Sequence, residues 1–294
     1  MKARRIREKS IESYFFLAAF STIVVLLGIF LMLLVNGLQM FKEVPLGEFL
    51  FGSVWNPSAY DEPSYGILSM LVSTLMVTFG AMVIAVPLGV GTAAYIAEVA
   101  GPKSREILKP IAEILAGIPS VAIGFIGIVL VGPLITKVSG RSSGLNAVNG
   151  SILLAVMALP TIISISEDAI RAVPKEFKEA SYALGAYRWT TMIRVTLPAS
   201  LTGIVAAVML GIGRAIGETM TVLMVTGNAP AMPHSFFDSV RTITATIAIE
   251  LGEVAYGTTH YYALFAIGAV LFLISFAVNM MAALVAARYR DRRV

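Results

Sequence analysis

Residues 171–198 begin Arg171-Ala172-Val173-Pro174-Lys175-Glu176-Phe177-Lys178-Glu179-Ala180-Ser181-Tyr182-Ala183-Leu184-Gly185 and end Val195-Thr196-Leu197-Pro198. Pro174 suits the first turn of a helix, where a missing N–H costs nothing, and Glu176 and Glu179 sit near the positive end. Phe177, Ser181 and Leu184 fall at 0, +4 and +7, so they share one mixed face. Gly185 supplies the stop, because glycine enters the left-handed conformation that closes helices without a steric penalty. This pattern predicts a short helix, a turn and a second short helix leading to Pro198 at the mouth of an apolar span. A compact knob of this kind can press into a groove on a soluble partner.

On both sides of the loop the chain is apolar. Of 294 residues, 57% are hydrophobic and 14% charged, against about 25% charged in an average soluble domain. So much apolar surface requires lipid as the outer solvent. A hydrocarbon core takes roughly 20 residues of helix, and six stretches suffice: 14–37, 67–98, 107–135, 151–170, 200–225 and 260–287. The second is overlong, and Pro87 with Gly89 and Gly91 predicts a bend before its end. Turn formers separate the spans at Asn56-Pro57, Asp61-Glu62-Pro63, Ser142-Ser143-Gly144 and Asn228-Ala229-Pro230.

Seventeen Lys and Arg residues fall in the N-terminal segment, segments 99–109 and 171–198 and the C-terminal tail. The alternate loops hold only Lys42, Lys137, Arg141 and Arg241, and Arg214 lies inside a span. This bias predicts both termini in the cytoplasm. The net charge of +4 is then a topology signal and not a nucleic-acid footprint. Residues 1–13 precede about 24 apolar residues without a small-x-small cleavage site, so the segment is read as a retained first helix. Trp55, Tyr60, Tyr65, Tyr261 and Tyr262 suit an aromatic belt.

Several chemistries are excluded or unsupported. The absence of cysteine excludes disulfides, thiol catalysis and Cys-ligated metals. His234 and His260 are far apart, and neither is assigned to a metal; no cofactor is expected. No Lys follows a Gly, so there is no phosphate-cradling G-x-x-x-x-G-K-[ST] loop. H-E-x-x-H does not occur. The chain is expected not to be an enzyme, and energy for active transport would come from a separate subunit.

The fifth span carries Leu210-Gly211-Ile212-Gly213-Arg214-Ala215-Ile216-Gly217-Glu218-Thr219-Met220. Arg214 lies about fourteen residues from the span's basic end, near mid-membrane at 1.5 Å per residue. An Arg there costs roughly 2.5–3.5 kcal/mol on insertion scales, so it faces a cavity or a partner. Glu218 at i+4 is within reach in a continuous helix, although Arg before Glu is the weaker orientation. Gly213 and Gly217 form a G-x-x-x-G face for close helix packing. Two readings stay open: a wall of an anion pathway, with the Arg fork suited to an oxyanion, or a structural ion-pair lock.

The 171–198 loop resembles the EAA loop of binding-protein-dependent ABC importer permeases. Glu179-Ala180-Ser181, three residues, Gly185, nine residues and Val195-Thr196-Leu197-Pro198 follow that pattern, with Ser181 and Val195 as departures. Other segments resemble the PstC-type phosphate permeases. These are Gly117-Ile118-Pro119-Ser120-Val121, 167–174, Gly213–Met220 and 238–248, with the likeness covering the chain from about residue 65. Met220 favours the C-type over the sister A-type permeases.

The resemblance implies a MetI-like ABC permease fold, all-α, with six transmembrane helices and a cytoplasmic coupling helix between helices four and five. The chain is expected to divide into a cytoplasmic tail, first transmembrane helix and outer loop at 1–66 and a permease transmembrane domain at 67–294 that holds the coupling loop 171–198. The resemblance also implies a prokaryotic inner-membrane protein that moves phosphate, with Arg214, Glu218, Thr219 and Ser120 along the pathway. Glu179, Ala180, Ser181, Leu184 and Gly185 would dock on an ABC ATPase dimer. Further implied partners are a second similar permease in a heterodimer, an external phosphate-binding protein and membrane lipid. Alternatives are an ABC permease for another oxyanion or small solute, and an autonomous channel or ion-coupled transporter.

Two lesser expectations complete the reading. Glu167 and Asp168 point about 100° apart on a helix, so they form no shared acid–base site and are expected to pair with Arg171 or Arg194. Within 226–259, the semi-apolar Thr242–Leu251 stretch predicts a short interfacial or re-entrant helix.

Overall fold

Lipid offers no water to backbone N–H and C=O groups, so apolar segments fold as helices that satisfy themselves. The structure, a computed structural model, describes the backbone of residues 2–290 and the side chains of Lys9 and residues 11–285. Lys2, Arg4, Arg5, Arg7, Arg288, Arg290, Arg292 and Arg293, which entered the charge count, lie outside the described side chains.

The chain opens with α1 (Lys2–Met40), α2 (Leu46–Phe51) and a small antiparallel hairpin of β1 (Trp55–Asn56) and β2 (Ser64–Tyr65). Next comes α3 (Leu68–Ala94), which runs into a π-helical turn at Tyr95–Val99, and then α4 (Pro102–Ala116). The helix α5 (Ser120–Ile126) passes through a second π-turn, Gly127–Val131, into α6 (Gly132–Ser139). After α7 (Ala147–Arg171) come α8 (Lys175–Ala183), α9 (Arg188–Thr191), a third π-turn at Met192–Thr196 and α10 (Leu197–Gly217). The chain finishes with α11 (Met220–Val225), α12 (Ile243–Glu250) and α13 (Thr259–Arg290).

Among the described residues, six segments are long and apolar enough to cross a membrane: Ile11–Met40, Leu68–Val99, Ser120–Ser139, Ala147–Arg171, Arg188–Gly217 and Thr259–Val285. The protein is therefore an all-α, six-transmembrane-helix structure. We call the face bearing loops 99–109 and 171–187 the basic side, and its opposite the sparse side.

Helix α7 is the axis of the body: 61% of its most apolar window is buried, against none of the corresponding window of α1. Without a hydrophobic force between helices in lipid, close packing holds them. Ile162 of α7, fully buried, fills the notch left by Gly89 of α3 and Gly211 of α10. A Cβ added at either glycine would come within 2.7 or 2.9 Å of the Ile162 side chain. Helix α1 lies along α13 instead, with Phe30 against Phe272 at 5.1 Å.

Helix α3 runs through Pro87 as one helix, and its winding changes at the Tyr95–Val99 turn. Several expectations need correction. The third span is not continuous over 107–135. Helix α4 carries Lys103, Arg105, Glu106, Lys109 and Glu113, lies along the basic half of α7 and ends before Gly117-Ile118-Pro119; the apolar span starts at Ser120. The fifth span begins at Arg188, because Pro198 sits in the first turn of α10. The π-turn before it has already shifted the hydrogen-bond ladder, so a missing N–H there does not stop the helix. Trp55 and Tyr65 are buried against one another in the sparse-side cap and so do not serve as a lipid-facing belt; Tyr60 is fully exposed.

Candidate functional site

The sequence Gly217-Glu218-Thr219-Met220 breaks the fifth span. Helix α10 ends at Gly217, Glu218 is extended (φ −69°, ψ 130°), and α11 starts at Met220. The Glu218 carboxylate turns onto the new helix and accepts from the Thr221 N–H at 3.1 Å, placing negative charge at a helix N-terminus. The Thr221 hydroxyl donates to the Ser120 carbonyl at 3.1 Å, with the Met157 sulfur also 3.1 Å away. The Thr244 hydroxyl of α12 donates to the Glu218 carbonyl at 2.8 Å. Three chain segments distant in sequence thus supply the hydrogen bonds around the break.

Met157 fixes the depth. It lies ten residues, about 15 Å, from the sparse-side end of α7, a helix about 36 Å long. The break therefore lies inside the membrane body, where unpaired backbone survives only against protein or a cavity. Gly217 and Thr219 open onto a cavity of about 500 Å³ whose other walls include Thr244, Ile247, Leu251 and Leu271.

Ser120, Glu218 and Thr219 meet at this break, with Arg214 about one turn back in the last turn of α10. Arg214 does not pair with Glu218. The helix that would bring i and i+4 together ends between them, and Glu218 is committed to capping α11. The Arg214 guanidinium is exposed, reaches Thr161 at 3.4 Å, and has no ion pair among the described residues. Gly213 lies 3.6 Å, measured from an added Cβ, from Asn279 of α13, while Gly217 faces open space. The close approaches of α10 to α7 come instead at Gly203, against Ala169, and at Gly211.

Helix α12 lies at Ile243–Glu250, where 242–251 was expected to be helical. Thr242 caps it by accepting from the Ala245 N–H at 3.3 Å. Its N-terminal end reaches down to Thr74 of α3, whose hydroxyl accepts from the Ile243 N–H at 3.1 Å, so the helix is re-entrant. Its far end carries Glu250, not singled out in the sequence. That carboxylate accepts from Trp55 Nε1 (3.1 and 3.0 Å) and Arg241 Nη1 (2.8 Å) and pairs with His260 Nε2 (2.8 Å). The signal in the sequence was a Trp, an Arg and a His on three separate sparse-side segments.

The 171–198 loop forms the knob. Helix α8 buries no residue, and Gly185 takes φ +82°, a value that any side chain would strain. Glu179, Ala180, Leu184 and Gly185 are exposed, whereas Ser181 turns inward, its hydroxyl 2.8 Å from that of Thr191. Leu184, 89% exposed, and Phe177, Tyr182 and Tyr187 are large apolar side chains exposed outside the membrane spans. The root of the knob is held by Lys178, paired with Glu98, and by Arg188, donating to the Glu98 carbonyl at 3.1 Å.

At the basic end of α7, Glu167 is buried and takes Lys109 (2.9 Å), Arg171 (3.1 Å) and Arg105 (3.6 Å), while Asp168 takes Lys109 at 3.6 Å. The expected Arg171 pair is present; Lys109 and Arg105 of α4 take the place proposed for Arg194. The hydrogen bond to Glu167 raises the Lys109 pKa above its ordinary value, with burial opposing. Among the described residues, no group of three or more His, Asp and Glu side chains could hold a metal ion.

Comparison with known proteins accords with this geometry. Residues 85–291 match the family described as binding-protein-dependent transport system inner membrane component. The probable ABC transporter permease protein YqgH of Bacillus subtilis is 41% identical over 244 residues, covering 82% of this chain and 79% of that one. The phosphate transport system permease protein PstC of Mesorhizobium japonicum is 34% identical over 266 residues (84% and 79%). PstC of Haemophilus influenzae is 30% identical over 296 residues (94% and 92%). In fold, the chain is similar to one in the inward-facing MetNI methionine ABC transporter (TM-score 0.56, 21% identity, 76% and 94% covered). It is similar also to one in a bacterial ABC transporter involved in import of the acidic polysaccharide alginate (TM-score 0.62, 14% identity, 97% and 99% covered). The chain belongs to the inner-membrane component family of binding-protein-dependent transport systems, and its fold is that of a MetI-like ABC permease.

Proposed function

We propose that the chain is the permease subunit of an ATP-driven importer that moves inorganic phosphate from an external binding protein into the cytoplasm. The basic side is cytoplasmic, as the Lys/Arg bias requires. Residues 1–66 anchor the chain and cap its outer face, and 67–294 form the permease domain. The exposed apolar knob, led by Leu184, docks on one subunit of a separate ATPase dimer, where hydrolysis occurs. A second, similar permease completes the pore.

The observation that carries the substrate reading is Arg214, a guanidinium at mid-membrane depth with no carboxylate partner among the described residues. A charge so costly in that place calls for a countercharge from outside the chain, and the planar fork of Arg suits an oxyanion. Ser120, Glu218 and Thr219 line the same break, and hydroxyls and backbone there can replace part of an ion's water. Relatives named as phosphate permeases support phosphate as that ion.

Proteoliposomes containing the complete complex test the reading by uptake of labelled phosphate. Arg214→Gln is expected to abolish uptake while the ATPase still co-purifies. Loss of assembly instead would favour the structural lock, and uptake that persists without ATP would sink the importer reading. Competition by sulfate equal to that by phosphate would favour the second reading, an ABC permease for another oxyanion.

A further inference from the structure

The π-turn at Tyr95–Val99 joins two polar systems described separately above. Its Glu98 carboxylate pairs with Lys178 of α8, and both side chains are largely shielded from solvent. The Ile96 and Ala97 carbonyls point the other way and accept from Arg105 Nη2 of α4 at 3.1 and 3.3 Å. The same Arg105 nitrogen lies 3.6 Å from Glu167 of α7, which also holds Lys109 of α4 at 2.9 Å. The knob is therefore joined to the π-turn by an ion pair and a hydrogen bond, and the π-turn to α4 both by the short connection Ala100-Gly101 and by the Arg105 hydrogen bonds.

Helix α4 continues to the site. Fifteen residues long, about 22 Å, it packs Ala112 against Ile163 and Ile96 and ends at Gly117. The extended Pro119 follows, and the Ser120 carbonyl accepts from Thr221 at the break. A Cβ at Gly117 would meet nothing nearer than the Ile114 carbonyl at 3.4 Å, so the joint is uncrowded. One end of α4 is thus fixed to the seat of the knob and the other adjoins the break.

We propose that α4 is the transmission element of this permease, with Glu98, Arg105 and Glu167 as positioning residues that carry displacement of the knob to Ser120 at the break. The proposal rests on the coupling role assigned above to the 171–198 loop. Pressure on α8 moves Glu98 through Lys178. The π-turn carbonyls then draw Arg105 and α4 along α7, and the Gly117–Pro119 joint converts that shift into a change at Ser120 and Thr221.

The test uses proteoliposomes holding the complete complex, with inorganic phosphate as probe and uptake per ATP hydrolysed as readout. Glu98→Lys and Lys178→Glu are each expected to lower that ratio about tenfold, within the usual range of coupling energies. The double exchange, which restores opposite charges, is expected to recover most of it, a rescue that loss of a merely structural contact would not predict. Unchanged ratios in both single variants, or an assembled double variant that stays uncoupled, overturn the relay. Because the chain has no cysteine, spin labels at Glu113→Cys and Ser142→Cys give a second measurement with the relay charges intact. A non-hydrolysable ATP analogue is expected to shift their separation, and the shift is expected to vanish on adding Glu98→Gln. No shift in the otherwise unaltered chain overturns the proposal. If the unaltered complex moves phosphate without hydrolysing ATP, the coupling role itself fails and the relay falls with it.

Discussion

Glu167 and Glu250 perform matching work at opposite sides of the membrane body with different chemistry. Each carboxylate gathers three donors, and each fixes the far end of an element whose near end adjoins the break: α4 through Ser120, α12 through Thr244. Glu167 takes Lys109, Arg171 and Arg105, all long and permanently charged. Glu250 takes one such cation, Arg241, and two rings, the indole of Trp55 and the imidazole of His260. Flexible cations can follow a carboxylate as it shifts, whereas rings set in a hairpin and in the first turn of α13 have few rotamers to spend. The contrast assigns motion to the basic-side tether and fixity to the sparse-side one.

Removing Glu167 is the hardest blow to this comparison. Glu167→Ala leaves three cations around a buried site, and breaking a buried pair typically costs 3–5 kcal/mol. With the cations 29–48% exposed, a loss near the lower end, about 3 kcal/mol, is expected in thermal unfolding of the purified chain. Glu250→Gln keeps an acceptor for the rings but loses the charge facing Arg241, so about 2 kcal/mol is expected by the same measurement. A larger loss from Glu250→Gln than from Glu167→Ala would reverse the assignment. Thr244→Val keeps both tethers and removes only the bond from α12 to the break, for about 1 kcal/mol. If α12 is fixed from its outer end, accessibility of a cysteine placed at Ala248 should stay unchanged in that variant.

The smallest effect is a pH dependence of the sparse-side loop. Asp238 accepts from the His234 and Ser235 N–H groups and lies 3.6 Å from Arg141. The His234 N–H foremost, then the Ser235 N–H and Arg141, hold its carboxyl below the ordinary value of 3.8, with desolvation opposing. A depressed pKa gives stability that is present above the unfolded value and lost as pH falls through the folded one. Hydrogen exchange at residues 234–238, corrected for intrinsic rates, should therefore be flat near neutrality and rise only below 3.8. A rise around neutral pH would overturn the assignment to Asp238.

Much of the fold was legible because lipid makes its rules local. Six apolar runs, the alternation of Lys and Arg between loops, and the Pro174-to-Gly185 knob depend on neighbouring residues alone. The re-entrant helix could be read from Thr242 and the apolar run after it. The break at Glu218 could not. Gly217 to Met220 contains no proline, and by composition the helix could run on to Val225. It ends there because Thr244 and Ser120, distant in sequence, supply partners for the chain at that point. Helix α4 was hidden similarly, since its Ile107, Ile111 and Ile114 look like the start of a span until Lys109 and Arg105 are seen to face Glu167.

The sequence by itself determined the number of crossings, the sidedness of charge and the presence of a knob, because hydrocarbon thickness and the cost of moving charge act on each segment separately. Tertiary structure decided what Arg214 and Glu218 do. Four residues apart, they look like a pair in any helix. Only long-range hydrogen bonds end that helix, turn Glu218 into a cap and leave the guanidinium of Arg214 exposed within the membrane body, without a carboxylate among the described residues.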